Sequence, residues 1–242
     1  MGFLRALVLV ALGLLVQTTA LSAPQEQELV QLRSLGYSLM SNLLVYYNID
    51  GTPYDPDNEA AYKRDLDLMQ RISVKVSQVE AGEHVARLTQ LIKAVHNLPQ
   101  SLSEARSVDS PYPRWLMPVV EEFFSLETWL SGRIDSAHGS EAGLYQLRHD
   151  IERLGLSYQL AAFHNLGADV WILDDASVMA LDASIQKRLQ ALSASQEDRD
   201  KLTRDYLFVR TQILNPGGRR MPNGVARYME RITTRIGELA AQ

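Results

Sequence analysis

The densest set of chemistry-bearing side chains is a run of arginines near the carboxy terminus. Between Arg210 and Gln242 stand Arg210, Arg219, Arg220, Arg227, Arg231 and Arg235 against Glu230 and Glu238, a local balance of +4 in a chain whose formal net charge is -5. Guanidinium groups bind carboxylates and phosphates through forked hydrogen bonds. Arg227, Arg231 and Arg235 are spaced by four, which places them on one face of a helix. Arg219, Arg220, Arg227, Arg231 and Arg235 therefore form a candidate interaction surface for an acidic partner or for anionic headgroups. The competing reading is pairing within the chain, for example with the Glu197-Asp198 turn, which is the commoner fate of scattered surface charge.

A second set is aromatic. Tyr46, Tyr62, Trp115 and Trp129, with Tyr47 and Tyr54 nearby in sequence, are candidates to line a small-ligand cavity between helices. Rings at helical spacing more often fill a core, and that reading competes here.

Metal and nucleophile chemistry finds less. The five histidines are His84, His96, His138, His149 and His164. No His-x-x-x-His and no Glu-x-x-His occurs, although a metal-binding bundle relies on such spacing. His149 and Glu152 lie one turn apart as a single half-site in reversed order, so a solvated helix face is favoured over a metal-dependent enzyme. The twelve residues Asn48–Glu59 place oxygen ligands at Asn48, Asp50, Thr52 and Glu59 in the manner of a calcium loop, but Pro53 occupies the obligatory glycine place and Asp55 an apolar one. A polar turn with a helix cap at Asp57 or Asn58 is the favoured alternative. There is no Gly-x-Ser-x-Gly elbow and no phosphate-binding loop. With no cysteine in 242 residues, thiolate zinc sites, disulfides, iron–sulfur clusters and a cysteine nucleophile are excluded. The expectation is a protein that is not an enzyme, with no catalytic residues, no metal and no cofactor. Its acidic balance argues against sequence-independent nucleic-acid binding.

The elements that must position these residues are helical. Apolar residues recur at three- and four-residue spacing from about Gln25 to Tyr47, Asn58 to Val79 and Gly82 to Pro99. The pattern resumes from Arg114 to Leu130 and from Leu144 to Ala161. It continues from Asp174 or Asp175 to Leu192, from a Ser195–Asp198 capping signal to Ile213, and, after Pro222-Asn223-Gly224, from Val225 to Leu239. Gly36 fills the missing place in the first stripe and is read as the site of a close backbone approach. Asp169–Leu173 is the nearest thing to a strand, short and isolated. The fold class is all-α, a multi-helix bundle of about seven or eight amphipathic helices. The segment 100–113, with Pro111 and Pro113 and little apolar content, is a candidate internal linker that either separates two helical halves or crosses the end of one bundle.

The first residues read as a cleavable secretory signal peptide over 1–23: Arg5, an apolar run from Ala6 to Val16, then small residues through Ala20 and Ala23. Eleven apolar residues are too few to cross a hydrocarbon core of about 30 Å as a helix. Cleavage after Ala20 or after Ala23 fits, and the latter leaves residues 24–242 as the helical-bundle domain. Loss of Arg5 takes the net charge from -5 to -6. No later stretch is apolar enough to span a membrane, so no transmembrane segment is expected after cleavage. The expected compartment is the periplasm, or the exterior of the cell.

In outline, an exported all-helical chain of this kind resembles the extracytoplasmic helical sensor modules of bacterial receptors. It departs from them in carrying no transmembrane helices or signalling domain. The resemblance implies a free-standing partner of a receptor or envelope complex. The leading functional expectation is therefore a non-enzymatic interaction or adaptor protein that contacts an envelope protein. The alternative is a periplasmic small-ligand-binding protein with an aromatic cavity between helices.

Overall fold

The structure is a computed structural model. It describes residues 23–48, 54–79, 82–107, 114–134, 142–163, 166–214 and 220–240. The expected signal segment lies, except for Ala23, outside the described residues.

The described residues form an all-α multi-helix bundle with nine α-helices and no strand. They are α1 Ala23–Tyr47, α2 Pro56–Val79, α3 Glu83–His96, α4 Leu102–Ser107, α5 Met117–Ile134, α6 Ala142–Ala162, α7 Asp175–Gln190, α8 Gln196–Leu214 and α9 Pro222–Ala240. Single 3-10 turns at Arg114–Leu116 and Asp169–Trp171 precede α5 and α7. The second of these occupies the expected strand-like segment. Ile172 and Asp174 beyond it take extended conformations, and no strand forms among the described residues.

Helix starts follow local chemistry. Pro56 opens α2 at the place where a missing N–H costs nothing. Asp55 caps it by accepting a hydrogen bond from the Asp57 amide at 3.1 Å, two residues ahead of the cap expected at Asp57 or Asn58. Asp174 caps α7 through the Ser177 amide at 2.7 Å. Ser195 caps α8 by accepting from the Asp198 amide at 3.1 Å while donating to the Asp198 carboxylate at 2.6 Å. Ser101 and Glu104 do the same work at α4: Ser101 accepts from the Glu104 amide at 3.1 Å, and Glu104 accepts from the Gln100 amide at 2.7 Å. The segment 100–113 thus contains a helical turn and a half.

The helices pack as two rings of four. In the first, α1 meets α2, α2 meets α3, α3 meets α5, and α5 returns to α1; in the second, α6 meets α7, α7 meets α8, α8 meets α9, and α9 returns to α6. Each ring encloses its own apolar core. Leu39, Met40, Leu43, Met69, Leu91, Val120 and Phe123 lie in the first. Ile151, Ile185, Tyr206, Val209 and Ile236 lie in the second. The two are joined where α1 lies against α6 and α9. Segment 100–113 falls between α3 and α5, two neighbours within one ring, and the change from one core to the other comes after α5.

Helix α6 serves both cores. Leu147, Ile151, Leu154 and Tyr158 face the second, whereas Leu156, Leu160 and Phe163 face the first. Burial on two sides accounts for Ser157 and Gln159 being buried as well. Both are hydrogen-bonded, Ser157 accepting from the Leu173 amide at 2.9 Å and Gln159 donating to the Pro222 carbonyl at 3.0 Å.

Candidate functional site

The arginines of α9 are turned back onto the protein. Arg227 pairs with Asp55 and, at 3.1 Å, with Asp57. Arg231 lies 3.8 Å from Asp205 and stacks over the Tyr228 ring at 4.2 Å. Arg235 reaches Asp198 through Nε at 3.0 Å and Glu238 at 2.6 Å. The turn named from the sequence, Glu197-Asp198, therefore supplies one of five carboxylate partners; the others come from the start of α2, from further along α8 and from α9 itself. Arg219 lies outside the described residues. Arg220 belongs to a different place, described below.

Of the four aromatic candidates, two meet directly. Tyr46 and Tyr62 pack at 5.4 Å between ring centroids, and Tyr47 bridges from them to Trp115 at 4.9 Å. Tyr46, Tyr47 and Tyr62 are buried in the first core, where burial pushes their phenols upward and keeps them protonated. Trp129 stands just over three turns, roughly 18 Å at 1.5 Å per residue, along α5 from its start, which Trp115 precedes, and the Arg133 guanidinium lies 5.6 Å from its ring. The four do not share one site.

The loop 48–59 is only partly described. Its described carboxylates are engaged by protein groups, Asp55 and Asp57 by Arg227, and Glu59 by Lys63 and the Tyr54 hydroxyl, while the Asn48 amide donates to the Ala162 carbonyl at 3.3 Å.

His149 is not on a solvated face. It is buried between α1, α5 and α6, with Nε2 3.0 Å from Glu127 Oε1 and 3.4 Å from the Tyr37 hydroxyl. An ionised carboxylate only accepts, so Nε2 carries a hydrogen toward Glu127. Glu127 also accepts from Ser131 at 2.9 Å and lies 3.3 Å from Arg33 Nε. Burial pushes the Glu127 carboxyl upward, but the His149 hydrogen bond, the Arg33 charge and the Ser131 hydroxyl outweigh it and hold it below the usual glutamate range. Glu152 points elsewhere, to Ser34 and, at 3.0 Å, to Arg148. No group of three metal-ligating side chains assembles among the described residues.

A second buried polar knot lies within the other bundle. Asp182 of α7 takes both arms of Arg210, at 2.7 and 2.9 Å, and the Tyr206 hydroxyl at 2.9 Å. Asp182→Ala leaves a fully buried phenol without its acceptor; we expect a loss of about 1–3 kcal/mol in unfolding free energy, read by urea denaturation, with Asp182→Asn milder.

One feature with the dimensions of a ligand site is an open groove of about 470 Å³ on the second bundle. It lies where α6, the start of α7, the end of α8 and the segments before α7 and α9 converge. Leu154, Ala161, Ile172, Val178, Met179 and Ile213 are among its apolar walls; Ser157, Tyr158, Asp175 and Arg220 are its polar groups. The Tyr158 oxygen accepts from the Met221 amide at 2.8 Å, and Arg220 lies 5.9 Å from the centre of the Tyr158 ring. The α6 stripe that contains Leu154, Tyr158 and Ala161 is readable from spacing. That Ile172 and Leu173 return to close a groove over it is a tertiary fact with no local signal, although the apolar run Val170–Leu173 outside any helical pattern is a trace of it. No helix of the described residues is long and apolar enough to cross a membrane. No protein-family model matches the chain, no curated protein matches it in sequence, and no solved structure matches it in fold.

Proposed function

We propose that this chain is an exported, non-enzymatic binding protein that holds a small, largely apolar molecule in the groove of its second bundle. Export rests on the sequence of residues 1–23. Binding rests on one observation above the rest: an apolar-walled groove of about 470 Å³, within the volume range of ligand sites, with a few polar groups at fixed positions. Those polar groups suit holding more than transforming a ligand. The Ser157 and Tyr158 oxygens each accept a backbone N–H, an arrangement that orients a hydroxyl without activating it as a nucleophile.

The test is a thermal-shift series with decanol, decanoate and decane-1,10-diol. At least one should raise the melting temperature saturably, because a ligand that binds only the native state stabilises it. Val178→Trp, which fills the groove from a half-buried wall position, should remove the shift. A flat response to all three, in a protein that melts cooperatively, counts against the reading.

A second reading, an adaptor for an envelope protein, is favoured by a different surface. Leu207 and Phe208 of α8 are exposed, and Phe208 stacks on Tyr228 of α9 at 4.4 Å. This apolar patch beside Arg231 has the composition of an interface centre. Crosslinking in an envelope fraction should give a defined adduct that Phe208→Glu removes; recovery of monomer alone speaks against it.

A further inference from the structure

Three of the groove's four polar groups, Ser157, Tyr158 and Arg220, are donors, and this narrows the ligand class. We propose, resting on the binding reading above, that the groove selects an amphipathic monoanion: a carboxylate received by Arg220, Tyr158 and Ser157, with an apolar body along α6 and α7.

Arg220 carries the argument. Arg210, Arg227, Arg231 and Arg235 each have a carboxylate of the same chain within 4 Å. Arg220 lines the groove with its guanidinium over the Tyr158 ring and has no carboxylate partner among the described residues. A cation held beside an apolar wall, with its forked donors uncommitted, is a carboxylate receptor.

The two hydroxyls agree with it. The Tyr158 oxygen is occupied as an acceptor by the Met221 amide, and the Ser157 oxygen by the Leu173 amide. Each hydroxyl hydrogen is thereby left to donate, and no described acceptor takes either one. Burial pushes the Tyr158 phenol upward, ahead of the lowering effects of the Met221 amide and Arg220, so it keeps its hydrogen at neutral pH. Tyr158 and Ser157 are adjacent on α6, and Arg220 approaches from the segment before α9, so the donors come from two sides.

Asp175 sets the charge. It stands exposed in the first turn of α7 and lines the same groove. With Asp175 already offsetting Arg220 across the groove, a single negative charge is held by direct contact with the guanidinium, and a second has no cation to meet it.

The experiment is calorimetric titration of the purified protein with decanoate, decanol and decyl phosphate, each below its aggregation concentration. Decanoate should bind about tenfold or more tightly than decanol, as hydrogen bonds to a charged group exceed those to a neutral one. Arg220→Gln should bring decanoate down to the affinity of decanol and leave decanol unchanged. Arg220→Lys, which keeps the charge and loses the fork, should fall between. Equal binding of decanoate and decanol, or an Arg220→Gln effect shared by both, overturns the anion assignment and leaves the groove as an apolar site. Tighter binding of decyl phosphate than of decanoate overturns the preference for one charge. Absence of binding by every probe overturns this proposal and the binding reading together.

Discussion

Phe123→Ala should lower the free energy of unfolding by about 3–5 kcal/mol, the cost of removing a fully packed ring and leaving its cavity. The ring is 2% exposed in the first core. It meets Tyr37 edge-on at 5.1 Å and Phe124 at 5.1 Å. Its third neighbour is the absence of a side chain: a Cβ built on Gly36 would stand 3.1 Å from Phe123 Cε2. Gly36 is therefore bare so that a ring of α5 can lie against the backbone of α1, where the sequence alone pointed to a second backbone. The same geometry predicts coupling. Gly36→Leu by itself should destabilise by about 1–3 kcal/mol through overpacking. In the Phe123→Ala background the added leucine has the vacated space to enter, so the double variant should be more stable than the sum of the single losses implies, by about 0.5–3 kcal/mol. Urea denaturation of the four proteins, followed by far-ultraviolet circular dichroism, gives the cycle. Strict additivity would show that Gly36 is small for a reason other than Phe123.

Gly36 illustrates how far the sequence could be read. The helices were legible because their determinants are local: apolar residues at three- and four-residue spacing, with Asp174 and Ser195 as caps. Even α4 has its signal in Ser101-x-x-Glu104, though it lies in a stretch poor in apolar residues. The two-ring arrangement was not legible. It depends on α6 facing two ways, and a stripe at Leu147, Ile151, Leu154 and Tyr158 masks a second at Leu156, Leu160 and Phe163, since both have the same period. The candidate sites follow the same division. That Arg227, Arg231 and Arg235 share a face is a property of one helix. That their partners are Asp55, Asp57, Asp205 and Asp198 is a property of packing, and only the last lies in the turn that the sequence offered as their partner. His149 shows the limit most clearly. Flanked by polar residues one and three places away, Arg148 and Glu152, it has the local appearance of a solvated position. What buries it is α5 with Glu127 and α1 with Arg33 and Tyr37, and no spacing within α6 encodes either.

Glu127→Ala should then be the most damaging single polar substitution in the chain, at about 3–5 kcal/mol. The carboxylate is the acceptor on which a buried cluster converges: Arg33 from α1, Ser131 from its own helix and His149 from α6. Removing it takes from Arg33, 5% exposed, a carboxylate 3.3 Å away, and takes the partner of His149 Nε2 at the junction of the two bundles. Replacing the pair by apolar groups is a different experiment. Arg33→Met with Glu127→Leu removes both charges, and the double variant should recover much of the loss, because desolvating a pair costs nearly as much as the pair returns. The acid limb supplies the second readout. A carboxyl held below its usual value in the folded protein stabilises fully above the unfolded value, near pH 4.5, and that contribution disappears as pH falls through the lower folded value. Asp65 acts in the opposite sense: burial raises it, the Ser38 and Arg64 contacts only partly offset that, and folding is favoured as it protonates. Glu127→Gln keeps the shape and removes the titration, while Asp65 stays in both proteins. The difference in unfolding free energy between wild type and Glu127→Gln should therefore shrink as pH falls below about 4.5. A difference independent of pH from 3 to 7 would mean that the charge on Glu127 does not hold α5, α1 and α6 together, and that the cluster contributes by shape alone.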